Sequence, residues 1–401
     1  MRVLLMLFRL PPALVFFVAM RLLRPWILIR IYPLVSDRIG HFAANTELYL
    51  CERDAGINVP NQRYLDLFFM GTQPANTQLA VMWRRHLKIW PVWLLGPVFR
   101  LNKLFPGGDI HEVGNPTCGD RDVHDLWPNT PPHLSFSSTE EARGKANLKA
   151  MCIPEDAEFI CLIVRDNTYL KKLAPNESYF EYHNYRDSDI QTYVAAAEQL
   201  ADRDYYVIRM GAAVREAFRT SHPKIIDYAA NGMRNDFMDI YLGAKCLFCL
   251  SSGTGFDAVP AIFRKPIIYV NLLPLGYHST YVKNSLSLSK QHWLLSEKRF
   301  LTLKEIFSHG VGFSLAASEF ETKGIGLIAN TPEEIESIAI EMLERLKGTW
   351  QPRPDDEALQ FQFWKIYMDA MRDNYAANLL HGKIRGRFGS NFLRDNQWWL
   401  Q

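Results

Sequence analysis

Short apolar runs separated by helix-length stretches dictate the architecture of the second half of this chain. Phe159–Val164, Cys246–Leu250 and Pro266–Val270 are continuous apolar runs too short to be helices, and Tyr205–Met210 and Ile225–Tyr228 are short runs broken only by Arg209 and Asp227. Strands covered on both faces read as unbroken apolar runs, and parallel neighbours need a crossover of helical length. Ile190–Asp202, Asp236–Ala244 and Phe256–Phe263 supply such crossovers. The spacing predicts βαβ units and a parallel sheet, hence an α/β fold. Ser138 or Thr139 caps a helix running to about Met151, with Glu140 and Glu141 placed to suit the helix dipole. Further helices are expected at Leu303–His309, Pro332–Lys347 and Glu357–Asp373.

The first half repeats the pattern less cleanly. Trp26–Leu34 and Tyr64–Met70 read as strands, with Phe42–Arg53, Leu79–Lys88 and Val92–Leu104 as helices. Phe105–Ser138, broken by Pro116, Pro128, Pro131 and Pro132, is the expected boundary. A chain of 401 residues is too long for one ordinary core, since domains run to roughly 100–200 residues. The expected organisation is an apolar segment over 1–25, an N-terminal Rossmann-like domain over 26–137, a C-terminal one over 138–350, and a helical tail over 351–401 folding back on the first half.

Residues 1–36 contain no Asp or Glu, but carry Arg2, Arg9, Arg21, Arg24 and Arg30 among large apolar side chains. The uncharged run Leu10–Met20 includes Pro11 and Pro12 and is far shorter than the roughly 20 residues a membrane span needs. No small-residue cleavage pattern follows it, so secretion is the minor reading. A helix lying on an anionic lipid surface fits the composition, and an apolar helix packed on the protein itself is the alternative. The net charge of +2 demands no nucleic-acid partner. The six cysteines are spread too widely for a disulfide scaffold, and Cys246 and Cys249, despite their CxxC spacing, read as buried strand thiols.

In a parallel α/β sheet, ligands bind beyond the carboxyl ends of the strands. The residues there are polar: Arg165 and Asp166, then Arg209 and Gly211, then Ser251, Ser252, Gly253, Thr254 and Gly255. The last run precedes a helix, where backbone amides suit a phosphate, although a Ser/Gly turn is also common structural punctuation. Arg165, Arg186 and Arg209 suit phosphate recognition, unless each pairs with a local carboxylate such as Asp166, Asp187 or Asp189. Asp187-Ser188-Asp189 has the spacing of a metal-holding pair, but it opens a helix, where acidic caps are expected.

The string His183-Asn184-Tyr185-Arg186-Asp187-Ser188-Asp189-Ile190, the later Val207-Ile208-Arg209-Met210-Gly211, and Ser251–Gly255 leading to Pro266-Ile267-Ile268 resemble a GT-B-like glycosyltransferase family found among bacterial surface-polysaccharide genes. Arg38-Ile39-Gly40-His41, followed by Asn45-Thr46-Glu47-Leu48-Tyr49, is similar to that family's N-terminal motif, so the likeness covers nearly the whole chain. Val164-Arg165-Asp166 more distantly resembles the arginine-bearing loop of GT-B fucosyltransferases, without its fuller histidine–arginine–glycine–aspartate form.

The resemblance implies two Rossmann-like domains, a nucleotide-sugar donor on the C-terminal half, and a glycan or lipid-linked acceptor on the N-terminal half. It implies no metal and no cofactor beyond the donor. The leaving phosphate is then stabilised electrostatically by Arg165, Arg186, Arg209 and the Ser251–Gly255 turn. His41 is the expected acceptor base, with capping or packing as its bland alternative, and Asp37 and His183 are fallbacks. The expected location is the cytoplasmic face of the plasma membrane, held peripherally. Two other classes stay open: another nucleotide-sugar or phosphate-handling enzyme, such as an epimerase or pyruvyl transferase, and a non-catalytic membrane-surface binding protein.

Overall fold

The computed structural model describes residues 2–114, 121–173, 184–374 and 382–401; His183 and Cys118 lie outside the described residues. The chain is α/β, built as two Rossmann-like halves, and it divides into compact units at Met1–Ser135 and Phe136–Gln401.

In the N-terminal unit, β1 (Leu28–Pro33) and β2 (Tyr64–Phe69) pair in parallel from Leu28↔Tyr64 to Pro33↔Phe69, joined by the helix Ile39–Asp54. Single parallel bridges, Ile31↔Glu112 and Phe68↔Ile89, flank the pair. The register sets Arg30 opposite Asp66, where Nε and Nη2 each donate at 2.7 Å to the buried carboxylate. Tyr49 of the connecting helix donates to the same group at 2.7 Å, which ties helix to sheet.

The helix Arg2–Leu23 buries Ala13, Phe17 and Met20 against Ile29, Ile31, Leu95 and Val98. Their spacing of three to four residues puts them on one face. Leu14, Val15, Val18 and Leu22 stay exposed on the helix's other side. One face of this helix is packed on the protein, and the other is exposed apolar surface. No described helix is long and apolar enough to cross a membrane.

The C-terminal unit holds a seven-stranded parallel sheet. Its strands are β3 (Phe159–Ile163), β4 (Tyr206–Arg209), β5 (Ile225–Ile226), β6 (Cys249–Ser251), β7 (Ile267–Leu272), β8 (Ser285–Ser289) and β12 (Arg387–Phe388). The order is β12-β8-β7-β6-β3-β4-β5. A small antiparallel sheet, β10-β9-β11, is made by β9 (Gln291–Leu294), β10 (Arg299–Phe300) and β11 (Ile325–Ile328). The first helix, Ser138–Ala150, is capped one residue earlier than expected, by Ser137 in a reciprocal box with Glu140. Cys161, Cys246 and Cys249 are free and buried.

The helix Asp356–Asn374 packs on Leu303–Ser308 and Ser390–Asp395 within the C-terminal unit. What draws it there is a dense aromatic cluster in which Phe363 meets Phe388 at 4.5 Å and Trp399 at 5.8 Å between ring centroids. Each aromatic removes up to about 250 Å² of apolar surface from water. The chain then adds β12 to the sheet edge beside β8.

Candidate functional site

From β3 the chain builds outward to β4 and β5, then returns to place β6 on the other side of β3 and continues to β7 and β8. Strand order reverses between β3 and β6, and such a switch point opens a crevice at the carboxyl ends of the two strands. Ile163 lies opposite Ser251 in the ladder, so Arg165 and Ser252 leave neighbouring strands side by side. The Arg165 amide donates to Ser252 Oγ at 2.7 Å, bridging the mouth of the switch point.

Charge accumulates here. The Arg165 guanidinium is nearly buried, with Nε 3.4 Å from Asp187 Oδ1. Burial, and then the charge of Arg186, pull its pKa down to about 10. Lys290, just after β8, donates from Nζ to the carbonyls of Tyr185 at 2.9 Å and Asp187 at 2.8 Å. Burial lowers its pKa to about 8, with Asp187 opposing. Burial also raises the Asp187 carboxyl, against the pull of Arg165. The Arg215 amide donates to Asp166 Oδ2 at 3.1 Å, and its guanidinium charge is felt at Asp187. Arg186 acts electrostatically on both Arg165 and Asp257. Cations depressed by burial and by one another are stabilised by an added anion.

The Ser251–Gly255 turn is arranged differently from expectation. Asp257 accepts Ser251 Oγ at 2.5 Å, Thr254 Oγ1 at 3.1 Å and the Thr254 amide at 2.8 Å. The amides of Ser252, Gly253 and Phe256 bond to Ile163 O, Ser251 Oγ and Thr254 Oγ1. Beyond it come only one 3₁₀ turn and a five-residue helix. The turn's own side chains and Ile163 O thus take the Ser252, Gly253, Thr254 and Phe256 amides that the expectation offered to a phosphate. Burial raises Asp257 to about 6, against its hydrogen bonds from Ser251 and Thr254. Gly253 sits at φ +80° with no atom within 4 Å of a Cβ position, so the loop's outer surface is open to close approach.

Arg209 is a second correction. It stands opposite Leu162 in the ladder, one strand from Arg165, but is 2 % exposed. Nη1 donates to Glu216 O at 2.7 Å and to Asp227 Oδ2 at 3.2 Å, and Asp227 also accepts the Phe218 amide at 2.8 Å. Its guanidinium is committed to the loop after β4 through Glu216 O and Asp227. Asp187 and Asp189 do not act as a pair either: Asp189 caps its helix by accepting from Gln191 N at 2.9 Å, while Asp187 faces Arg165. The sequence reading missed Lys290, Arg215 and Asp257. Lys290 ends Ser-Leu-Ser-Leu-Ser, whose alternation was the available signal for a strand with a site residue at its end.

In the N-terminal unit, His41 lies half-buried in the first turn of Ile39–Asp54 and has no hydrogen-bond or ion-pair partner among the described residues. Asp37 is exposed in the preceding turn.

No family model matches the sequence, and no curated protein matches it. Among solved structures, the chain is similar to a glycosyl transferase family 9 protein from Veillonella parvula DSM 2008, with TM-score 0.41, 10 % identity, and 65 % of this chain and 86 % of that one covered. It is similar to E. coli ADP-heptose lps heptosyltransferase II, with TM-score 0.38, 13 % identity, and 61 % and 86 % covered. E. coli heptosyltransferase WaaC with ADP aligns at TM-score 0.31 and 12 % identity over 65 % and 93 %. At these values the functional reading rests on the chain's own residues.

Proposed function

We propose that this protein is a glycosyltransferase that takes a sugar from a nucleotide-activated donor, without a catalytic metal, and passes it to a surface-glycan or lipid-linked acceptor. The observation that carries the reading is the concentration of Arg165, Arg186 and Lys290 around the β3/β6 switch point, where burial makes the charges of Arg165 and Lys290 costly. Arg165 and Arg186 hold the diphosphate and stabilise it as it leaves, with Lys290 adding charge from behind the 184–188 loop. Asp257 fixes the loop against which the nucleotide lies. His41 takes the acceptor proton, being half-buried and uncommitted.

The N-terminal unit lies on the cytoplasmic face of an anionic membrane. Exposed Leu14, Val15, Val18, Leu22 and Trp26, with Arg24 beside them and no acidic residue before Asp37, support that placement. A thermal-shift and calorimetric screen of UDP-, GDP-, CMP- and TDP-sugars tests the donor reading. One class should bind to the wild type and bind at least tenfold more weakly to Arg165→Met. Binding of none, or binding indifferent to Arg165, sinks it. Flotation on vesicles with and without phosphatidylglycerol tests the membrane reading, and flotation that ignores the anionic lipid overturns it.

A further inference from the structure

A second cluster of reactive side chains lies in the N-terminal unit, and the transferase chemistry makes no use of it. Glu47 and Cys51 are one helical turn apart on Ile39–Asp54 and are 0 % and 1 % exposed. Residues at i and i+4 share a helix face. His133 approaches that face from the segment just before the end of the unit at Ser135. One ligand atom from each of the three lies within 4.8 Å of the others. His133 Nδ1 is 3.1 Å from Glu47 Oε1, and Cys51 Sγ is 4.0 Å from the same oxygen.

Small side-chain adjustments bring these separations to those of one metal shell. With zinc–ligand bonds of about 2.0–2.3 Å, the edges of a coordination tetrahedron are roughly 3.3–3.8 Å long. The other ring nitrogen of His133, Nε2, lies 3.0 Å from Asp54 Oδ2. A carboxylate on the far nitrogen of a metal-binding histidine fixes the tautomer and turns the near lone pair to the ion. Glu47 and a Cys51 thiolate together carry two negative charges, which one divalent cation neutralises with His133 neutral. That balance offsets the charge of a carboxylate held in a fully buried position. Sulfur, imidazole and carboxylate together favour zinc over magnesium or calcium, which take oxygen ligands.

We propose that Glu47, Cys51 and His133 bind one zinc ion in a structural site that fastens the 133 segment to the helix Ile39–Asp54. Asp54 is a positioning residue for the His133 ring. The fourth position goes to water or to His86, which lies on the turn after the Thr77–Trp83 helix within electrostatic range of Glu47 and His133. The ion takes no part in the donor site, so its loss leaves nucleotide-sugar binding by the C-terminal unit intact.

The test uses the full-length protein stripped with a chelator and then titrated with Zn²⁺ or Co²⁺. One equivalent of zinc per chain should survive dialysis, as read by elemental mass spectrometry, and should raise the melting temperature. The Co²⁺ form should show thiolate-to-cobalt charge-transfer absorption that disappears in Cys51→Ser and persists in the control Cys118→Ser. His133→Gln should abolish retention, while Asp54→Asn should keep the stoichiometry and weaken affinity by about 10–100-fold. Circular dichroism establishes that each variant is folded. If Cys51→Ser unfolds, the Asp54→Asn affinity and the wild-type cobalt spectrum decide the matter. Zinc retained well below one equivalent, a cobalt spectrum without a thiolate band, or retention unaffected by His133→Gln would overturn the proposal and leave the cluster a plain ion pair.

Discussion

Replacing Arg165 by methionine should cost function while leaving stability untouched or improved. The guanidinium is pulled well below its ordinary value, to about 10, by burial and by Arg186. A depression of that size means its charged form is disfavoured in the fold by roughly 3 kcal/mol. Arg165 stays charged at any assay pH, so that cost is present throughout. That figure already includes the attraction of Asp187, 3.4 Å away, so a methionine of similar length removes it whole. The expectation is up to about 3 kcal/mol of added stability, or roughly 6–12 °C in a unit of this size. Donor binding should move the other way. One lost charge-assisted contact to a diphosphate removes about 1.5–3 kcal/mol, a weakening of roughly 10–100-fold. Scanning calorimetry and isothermal titration with the best-binding nucleotide sugar read both quantities on one preparation. A melting temperature lowered by Arg165→Met, with donor affinity unchanged, would falsify the reasoning and make Arg165 a structural ion-pair residue.

Arg209→Met should do the reverse: it leaves Asp227 and Glu216 O without their buried partner and costs about 3–5 kcal/mol in urea unfolding, and adding Asp227→Leu should recover part of the loss. If the single variant is as stable as the wild type, the assignment is wrong. Burial pushes the Asp257 carboxyl up to about 6 from its ordinary 3.8. Since the folded value is raised, the stability it contributes is complete below about pH 4 and is lost as pH climbs through 6, by roughly 3 kcal/mol. Asp257→Asn should flatten that slope in urea midpoints taken from pH 4 to 7, and an unchanged slope counts against it. His41→Ala should lower transfer about 10²–10⁴-fold with donor affinity and melting temperature nearly unchanged. Wild-type turnover would remove His41 from the mechanism and bring Asp37 forward.

The sequence by itself determined the α/β class and the strands from β1 to β7, because each is a short, mostly apolar run set off by turns and helix-length stretches, a pattern written locally. It also marked Arg165 and the Ser251–Gly255 turn, since strand ends followed by polar residues are visible in order along the chain. Tertiary structure decided what those residues do. Arg209 and Arg165 look alike in sequence, each ending a strand, yet Asp227 claims one and leaves the other beside a half-committed Asp187. β8 was hidden because Ser285, Ser287 and Ser289 suggest an exposed face, and only the packing of both sides shows all five residues buried. β12 pairs with a strand about a hundred residues earlier, a contact with no local signature. Lys290 became a site residue only when β8 was placed beside β7, which carried its ammonium under the carbonyls of Tyr185 and Asp187. Periodicity is a property of neighbouring residues and survives in the sequence; the partner of a charge is set by chain segments far apart, and only the assembled sheet brings them within reach.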